Sequence, residues 1–180
     1  MPETIPRIAP IDYATAAADV QHAHDQHQQH VAQITNMKRT LLRSIPAFKA
    51  LMTWYDLRDA VIPILGARLT TIFAHAISAE TDCLICSTFF RRILVESGED
   101  PDHLVLDPRE QVVVAYGRAL GQSPFFVEDG AFDALRKYFS EEELVTLTAF
   151  GALMVATNVI NNALAVPLDG YLEPYRRAER

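Results

Sequence analysis

The chain has 180 residues, 49% hydrophobic and 22% charged, a globular balance sized for one domain with a substantial core. Its net charge of −7 excludes a nucleic-acid surface, which needs clustered Lys and Arg against phosphate. Met1-Pro2-Glu3-Thr4-Ile5-Pro6 has neither the basic stretch nor the apolar core of a secretory leader, and Leu147 to Val159 is too short an apolar run to span a bilayer, so a soluble cytoplasmic protein without membrane contact is expected.

Residues 1–10 hold three prolines and read as an extended arm. Residues 11–33 are helix-prone through Ala16-Ala17-Ala18 and very polar afterwards, with histidines at 22, 24, 27 and 30. His24, His27 and His30 recur every three residues and share a helical face, but no carboxylate or cysteine completes a metal shell; the reading is a solvated face or subunit contact, with no metal. Residues 31–43 continue as helix with Ile34, Met37, Leu41 and Leu42 on one side. Pro46 suits the first turn of a helix running through Phe48, Leu51, Met52, Trp54 and Tyr55, and Trp54 reads as core. Pro63 and Gly66 punctuate, and residues 67–79 form a further helix carrying His75.

Next come Thr81-Asp82-Cys83-Leu84-Ile85-Cys86, with the only two cysteines, separated by two residues. Thr81 or Asp82 is the expected N-cap, residues 83–97 have a helical apolar period, and Gly98 follows as C′. The cysteines then lie in the first turn, where free N–H groups and the helix dipole favour a negative sulfur, the reactive form. Phe90 falls between them on the same face. Three readings stay open from the residues alone: dithiol redox chemistry, inert core, or half of a zinc site.

Asp107-Pro108-Arg109-Glu110 combines N-cap, proline at N1 and capping-box acid, opening a helix that ends near Gly121. Ser123-Pro124-Phe125-Phe126 is a turn with packed apolar side chains, and a short helix covers 130–139. Ser140-Glu141-Glu142-Glu143 is a second capping box, opening a long apolar helix through about Leu164; Pro167, Gly170 and Pro174 mark an irregular tail. No alternating β-branched run demands a strand, so the class is all-α.

The Cys-x-x-Cys helix start, Phe139-Ser140-Glu141-Glu142-Glu143-Leu144-Val145-Thr146-Leu147 and Asn158-Val159-Ile160-Asn161-Asn162-Ala163-Leu164-Ala165-Val166-Pro167 together resemble the carboxymuconolactone decarboxylase and alkyl hydroperoxidase D-like family, over about Lys38 to Leu172. The resemblance implies a helical domain at 38–180, preceded by an extra arm and polar helix at 1–37, and assembly as a dimer, trimer or hexamer. It implies no cofactor; Cys83 and Cys86 would reduce a small hydroperoxide, with peroxidase and antioxidant roles, or exchange disulfides with a thiol reductant or redox partner protein. That branch carries a relay His where this chain has Phe90 and a Glu where it has Thr71, so His75 and Glu80 are the nearest substitutes. The competing expectations are a catalytically silent binding or assembly protein of the same fold, and a decarboxylase-like lyase using His75 and Glu80.

Overall fold

The computed structural model describes residues 5–31, 33–122 and 126–177, and among these the secondary structure is entirely helical. A 3-10 turn at Tyr13–Thr15 precedes α1 (Ala18–Gln28), α2 (Asn36–Leu41), α3 (Ile45–Met52), α4 (Trp54–Leu65), α5 (Ala67–Glu80), α6 (Leu84–Glu96), α7 (Pro108–Gly121), α8 (Asp129–Arg136) and α9 (Glu141–Leu164); a second 3-10 segment spans Gly170–Tyr175.

The punctuation seen in the sequence sets most of these ends. Both capping boxes form, with Asp107 and Ser140 accepting from the Glu110 and Glu143 N–H groups while those glutamates reach back. Gly66 and Gly98 take φ of +81° and +87°, a conformation that favours glycine, and turn the chain out of α4 and α6. Elsewhere the structure corrects the reading. The stretch 31–43 is helical only from Asn36, where Thr35 caps. The helix through Phe48 and Tyr55 is two helices, broken at Thr53, whose hydroxyl turns back to the Ala50 carbonyl at 2.6 Å. Phe126 is 69% exposed rather than packed, and residues 123–125 of that turn lie outside the described residues.

At the centre lies α5, packed along α6, α7 and α9, with α4 across α9. Phe73 of α5 stacks on Tyr116 of α7 and Phe150 of α9, at ring separations of 6.1 and 5.9 Å, and all three are buried. Two glycines let α7 approach α5 closely. A Cβ added at Gly121 would lie 2.8 Å from the Ile77 carbonyl oxygen, and one at Gly117 would lie 2.8 Å from a Phe73 ring carbon. Arg68 rivets α5 to the start of α7 and the loop before it: it pairs with Glu99 and with Glu110 (2.6 Å) and donates to the Val105 carbonyl.

The N-terminal segment is stitched to this body. The Arg7 guanidinium and amide donate to the Ala163 and Leu164 carbonyls, and the Asn36 amide donates to Asp169 at 2.9 Å. Ile11, Ala23, Leu41, Leu42, Phe48 and Leu51 form a second small core.

The apolar run near the C-terminus belongs to a longer helix than its sequence limits imply: α9 has 24 residues and is long and apolar enough, by length and composition, to cross a membrane. Here one of its faces, including Leu144, Leu147, Phe150 and Met154, is core.

Candidate functional site: a thiol pair at the start of α6

The chain reverses between α5 and α6 through Asp82, whose φ of +50° is a left-handed conformation that Asp tolerates better than most residues. That reversal makes Cys83 itself the N-cap, in place of Thr81 or Asp82: its sulfur accepts from the Cys86 N–H at 3.4 Å. Both cysteines are reduced and buried, Cys83 at 0% and Cys86 at 6% exposure.

Three asparagines on α9 hold this turn. The Asn158 amide donates to the Thr81 hydroxyl at 2.7 Å and to the Ser78 hydroxyl at 3.4 Å, and the Asn162 amide donates to the Thr81 carbonyl at 3.0 Å. Asn161 points at the sulfurs: its side-chain nitrogen lies 3.2 Å from Cys86 Sγ and 3.8 Å from Cys83 Sγ. The site residue that the sequence reading passed over is therefore Asn161. Its signal was present, because an amide on the buried side of an apolar helix must find partners.

These contacts split the two thiols. The Cys86 thiol, the Cys86 and Ile85 N–H groups and the Asn161 amide favour negative charge on Cys83 and hold its pKa below the ordinary thiol value, although burial opposes them. Cys86, whose thiol hydrogen-bonds Cys83, has its own pKa pushed well up by that bond and by burial. Of the two sulfurs, Cys83 is the one on which negative charge is favoured and Cys86 the one on which the proton is favoured.

Cys86 borders a cavity of about 560 Å³ between α2, α4, α6, α9 and the 3-10 segment, lined by Trp54, Tyr55, Phe89, Phe90, Phe150 and Tyr171 among others. Phe90 therefore stands beside the thiols, as its place on the helix requires, and Thr71 is also in the wall, its hydroxyl donating to the Ala67 carbonyl. Trp54 is a wall residue, its ring 5.5 Å from that of Phe150 and 6.3 Å from that of Phe90.

The other two candidates lie elsewhere. Glu80 faces α7, within 3.9 Å of Arg118 and 3.4 Å of the Gln122 amide. His75 lies outside the cavity wall, where burial and then Arg91 lower its pKa to about 4, so it is neutral at pH 7. Neither hydrogen-bonds to a thiol among the described residues.

The polar N-terminal histidines are dispersed in role. His24 bonds Asp25, His30 bonds the Gln26 carbonyl, and His27 packs edge-on to Phe48 and Tyr55. Among the described residues no group of three or more His, Cys, Asp or Glu is placed to hold a metal.

No family profile and no curated protein matches the chain. Solved structures do. The debrominase Bmp8 superposes with a TM-score of 0.77 at 18% identity, over 93% of this chain and 95% of that one. A Bmp8 variant in complex with 2,3,4-tribromopyrrole gives 0.79 at 17% identity, over 96% and 97%. The alkylhydroperoxidase AhpD core of a peroxidase-related protein from Ralstonia eutropha gives 0.73 at 18% identity, over 98% of each chain. The fold is thus the alkyl hydroperoxidase D-like one.

Proposed function

We propose that the chain is a thiol–disulfide oxidoreductase of the alkyl hydroperoxidase D-like family, in which Cys83 and Cys86 reduce a small organic hydroperoxide. The single observation that carries this reading is that Asn161 contacts both sulfurs while a cavity reaches Cys86. Two thiols held by one amide can close a disulfide, and the cavity gives a substrate access to one of them.

Access to the cavity, which Cys86 borders and Cys83 does not, assigns the roles. Cys86 faces the cavity and attacks the distal peroxide oxygen as its proton passes to Cys83, whose thiolate serves as the base that a relay histidine supplies elsewhere. The O–O bond breaks, Cys86 becomes a sulfenic acid, and the leaving alkoxide takes the proton back from Cys83 to depart as an alcohol. The Cys83 thiolate then attacks the Cys86 sulfur, forming the disulfide and expelling hydroxide, which is protonated to water. An external thiol reductant or redox partner protein returns two electrons and two protons. Phe90 cannot carry a proton but keeps the pocket apolar, which suits an organic hydroperoxide better than hydrogen peroxide. Glu80 and His75 have no step in this scheme.

A second reading draws on the six aromatic residues of the cavity wall and on the likeness to a debrominase. The same dithiol could reduce a halogenated aromatic ring, Ar–X plus two thiols giving Ar–H, disulfide and HX. The test is common to both. With a thiol reductant present, the parent should consume cumene hydroperoxide and the Cys86→Ser variant should not; Cys83→Ser, which lacks the base as well as the resolving thiol, should lose turnover and, without reductant, form a dimedone-trappable sulfenic acid only slowly. Halide release from a bromophenol without hydroperoxide turnover selects the second reading. A parent inert to both, with two free thiols by mass spectrometry after stoichiometric oxidant, selects the silent binding protein.

For the homo-oligomer implied by the resemblance, we infer an interface along α9. Val145, Ala149, Ala152, Ala156, Val159 and Ala163 are exposed at alternating spacings of four and three, the seam that a second copy of the same helix fills.

A further inference from the structure

More polar chemistry surrounds the cavity than two thiols use. Lys38 and Asp169 both line it at 4% and 7% exposure, so each is an ionisable group more than nine-tenths buried. Lys38 donates to the Gln33 carbonyl at 2.9 Å, and its ammonium sits 5.1 Å from the centre of the Tyr55 ring. An ammonium has three donors, so further donors remain for another acceptor. Trp54 Nε1, Arg92 Nε, Asp169 Oδ2 and the Tyr171 hydroxyl are also buried without a hydrogen-bond partner among the described residues, and all four residues belong to the cavity wall. Buried polar atoms are nearly always matched, so unmatched ones gathered around a single cavity point to a ligand with polar atoms of its own.

The charge in the wall is one-sided. Lys38, Arg58 and Arg92 face a single carboxylate, Asp169, in a protein whose net charge is −7. Arg58 and Arg92 each keep a carboxylate outside the wall, Asp59 at 2.7 Å and Glu96 at 3.6 Å; among the described residues Lys38 forms no such pair. Burial lowers the Lys38 pKa to about 8, which leaves it mostly protonated at neutral pH, and raises that of Asp169, which disfavours its charged form. Aromatic rings connect the cations to the sulfur. Lys38 lies over Tyr55, Tyr55 packs against Trp54 at 5.1 Å, Trp54 against Phe90, and Phe90 follows Cys86 by one helical turn.

We propose that the cavity binds an aromatic acid, its ring held among Trp54, Phe89 and Phe90, its reacting substituent at Cys86 and its carboxylate or phenolate at Lys38. This names the substrate class of the dithiol site and rests on that reading only for the reacting end. A single ring fills part of a 560 Å³ space, leaving room for substituents at both ends.

Trp54 is the only tryptophan, so intrinsic fluorescence reports occupancy of the cavity directly. The reduced protein is titrated with 4-bromobenzoate, with the neutral 4-bromobenzamide and with cyclohexanecarboxylate. The aromatic acid should bind about tenfold more tightly than either companion, the range expected for a hydrogen bond to a charged group. Lys38→Gln should remove the preference of acid over amide while keeping the ring affinity. Folding of that variant is checked by circular dichroism, and if it unfolds, Arg58→Gln decides, with the preference reduced about threefold. Equal affinity of the parent for acid and amide, or a folded variant that keeps the parent's preference, overturns the proposal. Hydroperoxide and bromophenol turnover of the parent are measured separately: loss of the anion preference with turnover intact overturns this inference alone, and anion binding without any turnover overturns only the dithiol reading.

Discussion

The Asn161 side-chain nitrogen stands 3.2 Å from the Cys86 sulfur, so a residue near the C-terminal end of α9 acts on a thiol at the start of α6. Asn161 also helps hold negative charge on Cys83. Asn161→Leu removes this donor while keeping the volume. We expect the Cys83 pKa to rise, and alkylation by iodoacetamide at neutral pH to slow. An alkylation–pH profile with an unchanged midpoint would remove Asn161 from the site.

Acid should loosen the fold through two histidines. Burial holds His27 and His75 at a pKa of about 4 in the folded chain, against an ordinary value of 6.5. Between those values the unfolded chain binds protons that the folded chain refuses. Stability is therefore full above about pH 6.5 and declines as pH falls towards about 4. A double variant, His27→Phe with His75→Gln, should show a flatter dependence of Tm on pH over that window. A curve parallel to the parent's would rule out both groups as the cause.

The α5–α7 contact has no space for a methyl group at Gly121, where the obstacle is backbone. Gly121→Ala should destabilise the protein by about 1–3 kcal/mol in urea unfolding. Gly130→Ala is the control: a Cβ there meets nothing within 4 Å, and in a helix it should be neutral or stabilising by up to about 1 kcal/mol. Similar losses at both positions would refute the close-approach account.

If the inferred α9 seam joins copies of the chain, a charge in it should dissociate them. Ala152→Glu, at an exposed position, should leave the circular dichroism unchanged and lower the mass measured by sedimentation to that of one chain. An assembly indifferent to this change would place the interface elsewhere.

Much of this was legible in the residues because it is local. The two capping boxes, the glycine turns at 66 and 98, and the cysteine pair at a helix start are each specified within a few positions. The cap at α6 was misread because serine, threonine and aspartate dominate such positions, whereas here the left-handed Asp82 hands the role to a sulfur. What escaped was long-range. Asn161 is 75 positions from Cys86, and Lys38 and Asp169 meet at the cavity from opposite ends of the chain. Helical periodicity shows which face of α9 is buried but not which neighbour that face meets. His75 and Glu80 were near the thiols in sequence, yet successive residues of a helix point in different directions, and both leave the cavity to other groups.

One sulfur, Cys83, is at once the cap of α6 and half of the proposed redox couple. Disulfide formation would weaken the acceptor that pins the first turn, so the proposed cycle should unfasten this helix end and refasten it. The amide of Cys86 would then exchange with deuterium faster in the disulfide form, and a reducing partner could tell the spent protein from the ready one by the looseness of a single turn.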